Sequence, residues 1–446
     1  MLPVMRSASR LVLLLAMVLP SCVGRAPPVG EGEGEGEGEG EGEGEGEPVA
    51  LVDLVNRGDA VVAETGPLIP LAMVPRPPPG VVVVDLGNVV VDGDGDSGDF
   101  FVDVDARVTG VAVVVYGAAD ATVMLTRAQT PDGTLVVDDT ALGENVAGYT
   151  QIENLSRGFT GQYMSPGRVL PSTRVGAFHV PSTADIALQQ GRWRLRVGQF
   201  DVVTDDDADP VVLARPGAVR VLVLLRTAPT TSARARLAFH FTGGGNLTAT
   251  SARTDAAFLD AITTVQSIYG EAGIDLGDTI DDVDLVDLAD GDSLRTVVLD
   301  LPRCDGPELD DVAGRGLPDT LNVVVIDRFE CGNFGPFLLG LAAGVPLVPW
   351  TGATPHSGVV VAGSFFVDDP TNLAVVIAHE LGHGLGLYHS QENDRFGADL
   401  YDVIADTDDG DDASDNLMFF DLSQITSTSL TAGQAATIRR GPQVLP

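Results

Sequence analysis

The stretch HELGHGLGLYH, residues 379–389, constrains this chain more tightly than any other part of it. His379 and His383 stand four apart, so on a helix they share a face and aim imidazole nitrogens at one point. Glu380 adjoins the first of them and reaches a water in an open fourth coordination position rather than the metal itself. His389 lies beyond the reach of a continuing helix, so the chain must turn before it. Gly386 supplies the turn, because glycine takes the left-handed conformation that ends helices without steric cost. The chain has 6 histidines in 446 residues, a composition in which the extended pattern arises by accident only about six times in a million. The spacing specifies a zinc site with His379, His383 and His389 as ligands and Glu380 as general base on a zinc-bound water. The competing readings are a helix whose histidines merely satisfy backbone groups and a site that keeps its ligands but performs no chemistry.

The flanking sequence suits a buried ligand helix. Asp368, Asp369 and Pro370 read as an N-cap followed by proline in the first turn, and Leu373, Val375, Val376, Ile377 and Ala378 form an apolar run. Residues 321–326 (LNVVVI) and 357–362 (SGVVVA) are β-branched runs bounded by turn residues, and 236–241 (RLAFHF) reads as a first strand. From Thr254 the spacing is helical until Gly270 and Gly273 close it. Strand, helix, strands and ligand helix make an α/β (α+β) layer.

These residues resemble the metzincin zinc endopeptidases, whose pattern HExxHxxGxxH is met at His379, Glu380, His383, Gly386 and His389. The family also carries a methionine in a tight turn under the metal, and Met418 in DNLMFF is the candidate, with simple core filling as the bland alternative. The closing segment 430–439 (LTAGQAATIR) is similar to the family's terminal helix. Asp406 with Thr407, the turn Asn416-Leu417-Met418, and Thr431, Gly433 and Gln434 are most similar to the pappalysin and cytophagalysin group. Some metzincins place a ligating tyrosine two residues after the turn methionine; Phe420 stands there, so no such ligand is expected. The resemblance covers about residues 235–446. It implies peptide-bond hydrolysis, with Glu380 taking a proton from the attacking water and passing it to the leaving amine. An extended substrate is expected along an edge strand, for which Phe337 to Trp350 is a candidate, an ordinary buried strand being the alternative. His356 reads as a surface residue or one behind the ligands.

The N-terminus bears on location. Arg6 and Arg10 precede an apolar run over 11–19, too short to span a bilayer but suited to a signal peptide over 1–21. Leu19, Pro20, Ser21 and Cys22 resemble a bacterial lipobox, with Cys22 as lipid acceptor and membrane anchor and proline as its atypical member; cleavage and secretion without lipid is the alternative. Strict Glu-Gly alternation from Glu31 to Glu47 cannot bury a core and repels itself, so 22–48 reads as a solvated tether. The expected location is the outer membrane or cell surface. Of 3 cysteines, Cys304 and Cys331 remain for a disulfide once Cys22 is set aside. Pro302-Arg303-Cys304 also resembles the latency cysteine of matrix metalloproteases, although Cys304 falls after the first catalytic helix rather than in a pro-segment.

Residues 49–230 carry alternating or β-branched runs at 100–104, 108–116, 122–126, 174–180, 192–197 and 219–225, which predict an all-β sandwich. Packing, substrate binding and a removable pro-region all stand as roles for it. The chain as a whole reads as multidomain, with this sandwich followed by the zinc-protease domain over 235–446. Its 64 acidic and 26 basic residues give a net charge of −38, which disfavours nucleic acid as a partner. Asp92, Asp94 and Asp96, and Asp406, Asp408 and Asp411, are candidate calcium ligands, with solvated acidic loops as the alternative. The leading function is a zinc metalloendopeptidase acting on extracytoplasmic proteins. The alternative is a surface binding or adhesion protein on a silent metzincin scaffold.

Overall fold

The computed structural model describes residues 49–138, 172–203, 211–299, 306–331, 338–363 and 370–445, apart from 232, 394–398, 403, 408–412, 423 and 426. The signal, Cys22, the Glu-Gly tract, Cys304, Asp408 and Asp411 lie outside the described residues. Among the described residues no helix is long and apolar enough to cross a membrane.

The N-terminal region folds into two antiparallel sheets. Strands β1 (Val81–Val91), β2 (Phe100–Val104), β3 (Gly110–Tyr116), β4 (Thr122–Gln129), β5 (Val175–Val180), β6 (Gly191–Val203) and β7 (Gly217–Arg226) provide their main members. One sheet runs β1-β7-β3-β5; the other is centred on β2-β6-β4 with short strands at its edges. Alternate residues of both sheets, among them Val113, Val115, Leu125, Trp193, Leu195, Val221 and Val223, meet in one buried cluster. Strand β1 is not among the runs singled out in the sequence. It continues through a bulge, with Gly87 at φ +84° and the pairing register shifting between Val221 and Leu222.

The C-terminal region is built on a five-stranded sheet, with β8 (Leu237–Phe241), β9 (Asp284–Asp287), β10 (Leu321–Ile326), β11 (Gly340–Ala342) and β12 (Gly358–Ala362). Its order is β9-β8-β10-β12-β11, parallel except for the antiparallel edge strand β11. Both faces of the central strands are buried, which is why they read as unbroken β-branched runs. Val323, Val325, Val359 and Val361 face helices α1 (Ala256–Glu271), α2 (Pro370–Gly384) and α3 (Ala432–Arg440). Val324, Ile326, Val360 and Ala362 face Leu309 and Val312 on the opposite side. The result is a layered α/β unit around a mixed sheet. Asp255 caps α1 by accepting the Phe258 N–H at 2.9 Å.

The two regions are joined by packing and hydrogen bonds. The outer face of the four-stranded sheet, through Ala112, Val114, Tyr116, Ala177, Leu222 and Leu224, shares a buried cluster with Val348 and Trp350. Arg226, fully buried, donates to the Gly441 carbonyl at 2.9 Å. The 337–350 segment is therefore divided in use: 340–342 forms the sheet edge, and 348–350 covers the N-terminal sheet.

Phe258 is 1 % exposed and meets Phe239 and Phe241 edge-on at centroid distances of 5.2 and 5.6 Å. Its truncation to alanine is expected to destabilise the protein by about 3–5 kcal/mol. Denaturant unfolding should show this as a lower midpoint at an unchanged slope.

Candidate metal centre

Helix α2 ends as its sequence requires. The Leu387 N–H reaches back to the Gly382 carbonyl at 2.9 Å and the Gly386 N–H to the His383 carbonyl at 2.8 Å, with Gly386 at φ +98°. This is a Schellman closure, and it satisfies carbonyls that the helix end would otherwise leave open. The chain that emerges carries His389 back toward the helix.

The three imidazoles converge. The Nε2 of His383 lies 3.1 Å from that of His379 and 3.1 Å from that of His389, and His379 and His389 are 3.2 Å apart. The His379 Nδ1–H donates to the Leu417 carbonyl at 2.8 Å and the His383 Nδ1–H to the Leu387 carbonyl at 2.7 Å. These bonds fix the tautomer of both rings and leave their Nε2 lone pairs directed inward. Inward-facing lone pairs at such separations repel unless a cation sits among them. Tetrahedral ligands at zinc–nitrogen distances of about 2.0–2.1 Å stand about 3.3 Å from one another, close to the spacing found. The residues present thus fit a zinc ion. Burial, followed by the two neighbouring imidazoles, holds His379 well below the usual histidine range, so it offers the neutral form that metal binding needs.

Glu380 is buried beside the edge strand. Desolvation pushes its carboxyl up to about 8, and a hydrogen bond from the Ala342 N–H opposes that rise. It can lie there because position 340 is glycine: a Cβ on Gly340 would stand 2.6 Å from Glu380 Cγ. A divalent cation next to the carboxyl would favour its ionised form.

Met418 is fully buried beneath α2, with its sulfur where a Cβ on Gly382 would fall. Asn416 shapes the turn by accepting the Met418 N–H at 2.8 Å, and its amide pairs with that of Gln434 at 3.2 and 3.0 Å. The Thr431–Gln434 capping box opens α3, and Asp406 accepts from the Thr431 hydroxyl at 2.7 Å and the Gly433 N–H at 2.8 Å. The group Asp406, Asn416, Met418, Thr431, Gly433 and Gln434 singled out in the sequence is one hydrogen-bonded assembly. Phe420 is partly exposed and packs on Phe419.

Other expected site residues are placed elsewhere. Among the described residues, the three histidines form the one cluster of metal-ligating groups close enough to share an ion. Asp92 accepts the Asp94 N–H at 2.9 Å in a local turn, and both Asp406 oxygens are engaged at the start of α3. Cys331 is buried; Cys304 lies outside the described residues. His356 is half-buried rather than at the free surface. Its Nδ1 meets the Ala343 carbonyl just after the edge strand, and its Nε2 lies 2.9 Å from the Thr173 carbonyl of the N-terminal region.

Sequence reasoning missed Tyr269. Its hydroxyl donates to the Ala378 carbonyl at 2.7 Å, bracing α2 one residue before the first ligand. In the sequence it is one more apolar-face residue of α1, and nothing marks its hydroxyl.

A family model described as Matrixin matches residues 323–416, from within β10 to the turn before Met418. Matrixins are zinc metalloendopeptidases, and together with the histidine triad the match supports a metzincin-type zinc metallopeptidase. No curated protein matches the chain.

Gly382→Ala would force a methyl group into the Met418 sulfur. The expected cost is about 1–3 kcal/mol in thermal or denaturant unfolding, and Met418→Ala should cost less in that chain than in the wild type.

Proposed function

We propose that the chain is an exported zinc endopeptidase of the pappalysin and cytophagalysin group that hydrolyses peptide bonds in extracytoplasmic proteins. The observation that carries this reading is the convergence of three imidazole Nε2 atoms on one point, with the Glu380 carboxyl buried alongside at the sheet edge. Zinc, when bound there, supplies a Lewis acid that polarises a peptide carbonyl and acidifies water. His379, His383 and His389 hold it. Glu380 takes the proton of the attacking water and delivers it to the leaving amine, and its buried setting keeps bulk water from competing for that proton. Among the described residues β11 is the last strand of its sheet, so an extended peptide can add along it beside the ligands, with the Ala342 N–H already given to Glu380. Gly340 leaves this edge narrow enough for Glu380 to lie against it.

The remainder of the proposal concerns setting. Residues 1–21 direct export, Cys22 carries lipid, and the acidic tract through Glu47 holds the folded body off the membrane. Residues 49–230 form a β-sandwich domain ahead of the catalytic domain at 235–446. Cys304 and Cys331 form a disulfide suited to an oxidising compartment.

Glu380→Ala should retain one zinc per chain while cleavage of an unfolded protein falls roughly 10²–10⁴-fold. Undiminished cleavage by this variant would exclude Glu380 as the base. Wild-type protein that holds stoichiometric zinc yet cuts nothing in a broad peptide library would exclude the protease reading.

A further inference from the structure

The N-terminal sheet reaches the zinc ligands through one side chain. His179, on β5, is 6 % exposed and lies between two glycines of the C-terminal region. A Cβ on Gly386 would stand 2.8 Å from its Nδ1 and Cε1, and a Cβ on Gly441 would stand 2.9 Å from its Cε1. The imidazole therefore occupies the space that side chains at both positions would need. Its Nε2–H donates to Gln443 Oε1 at 2.8 Å, and Gln443 in turn donates to the Leu347 carbonyl at 3.2 Å. Leu347 closes the path, its N–H donating to the Gly384 carbonyl at 3.0 Å in the last turn of α2. The seam between Phe178, His179, Val345, Pro346, Gly386 and Tyr388 has no room for a water molecule.

The contact falls at a sensitive place. Gly386 is the left-handed residue that reverses the chain between the second ligand and the third, and its backbone conformation sets where His389 points. A glycine turn is the most easily deformed part of such a site, since no Cβ restricts it. The ring fills the volume on its open side, while the Gln443 bridge ties the ring to the end of the ligand helix. Neighbouring contacts hold the same sheet end in place: Arg440 donates to the Ile186 carbonyl at 2.8 Å, and Asp185 accepts the Ala405 N–H at 2.6 Å.

We infer that His179 is a positioning residue for the third metal ligand, pressing the Gly386 turn into the geometry that brings His389 to the other two imidazoles. The inference rests on the zinc-site reading above. It makes the N-terminal sheet part of the working site, because the residue that braces the turn belongs to that sheet.

The test measures metal binding on the full chain. Zinc affinity is taken by competition with a chromophoric chelator, and ligand geometry by the visible absorption of the cobalt-substituted protein. His179→Ala should weaken zinc binding about 10-fold, the lower end of the range for residues that orient metal ligands. It should also change the cobalt bands. His179→Gln, which keeps a donor toward Gln443 and much of the volume, should recover most of the loss. Gln443→Leu removes the bridge without emptying the seam and should weaken binding in the same direction. Unchanged affinity and unchanged cobalt bands in His179→Ala would overturn the inference. If His179→Ala does not fold, Gln443→Leu decides, and a folded Gln443→Leu protein with wild-type affinity and bands would overturn it. These measurements are independent of cleavage, so a wild-type chain that binds zinc but cuts nothing would defeat the protease reading while leaving this one standing.

Discussion

At Gly386 the backbone takes φ +98°, and the rest of the metal centre depends on that one reversal. Without it α2 would carry His379 and His383 on one face and send His389 away from them. With it, three Nε2 atoms stand within 3.2 Å of one another. Such a cluster is unfavourable by itself, since three inward lone pairs repel and two of the rings are locked in that orientation by the Leu417 and Leu387 carbonyls. The surrounding layers bring the ligands to the spacing that a zinc ion requires.

Those layers act from several sides. From below, the Asn416-Leu417-Met418 turn supplies a carbonyl to His379 and a sulfur to the space over Gly382, and α3 fixes the turn through Gln434. Tyr269 of α1 holds the helix just ahead of the first ligand. At the sheet edge, β11 lies against Glu380 and withdraws it from water, which is why its carboxyl rises to about 8. The N-terminal sheet closes the remaining side with His179. Its outer face is covered by Val348 and Trp350, so the two regions share a core as well as hydrogen bonds.

Much of the C-terminal fold was legible because both faces of its sheet are buried. Runs such as LNVVVI allow few alternatives to a central strand, and the spacing from Thr254 to Gly273 allows few alternatives to a helix. The ligands and Gly386 were legible because coordination geometry dictates both residue type and interval. What stayed hidden depends on contacts distant in sequence. His179 and Gln443 are 264 residues apart, and Tyr269 and Ala378 are 109 apart. Neither histidine nor tyrosine announces such a partner. The strand at 81–91 was not singled out, and it carries a bulge at Gly87 where the pairing register shifts. The clustered aspartates suggested calcium; in the structure Asp92 and Asp406 accept hydrogen bonds from nearby N–H or hydroxyl groups.

The central claim is that three imidazoles and a light-atom ligand surround one zinc ion. X-ray absorption at the zinc edge on the purified, zinc-loaded protein tests it directly. The account predicts one zinc per chain, a first shell of nitrogen and oxygen at about 2.0–2.1 Å, and the outer scattering of three imidazole rings. Zinc that is absent, substoichiometric after reconstitution, or bound with sulfur in its first shell would contradict it.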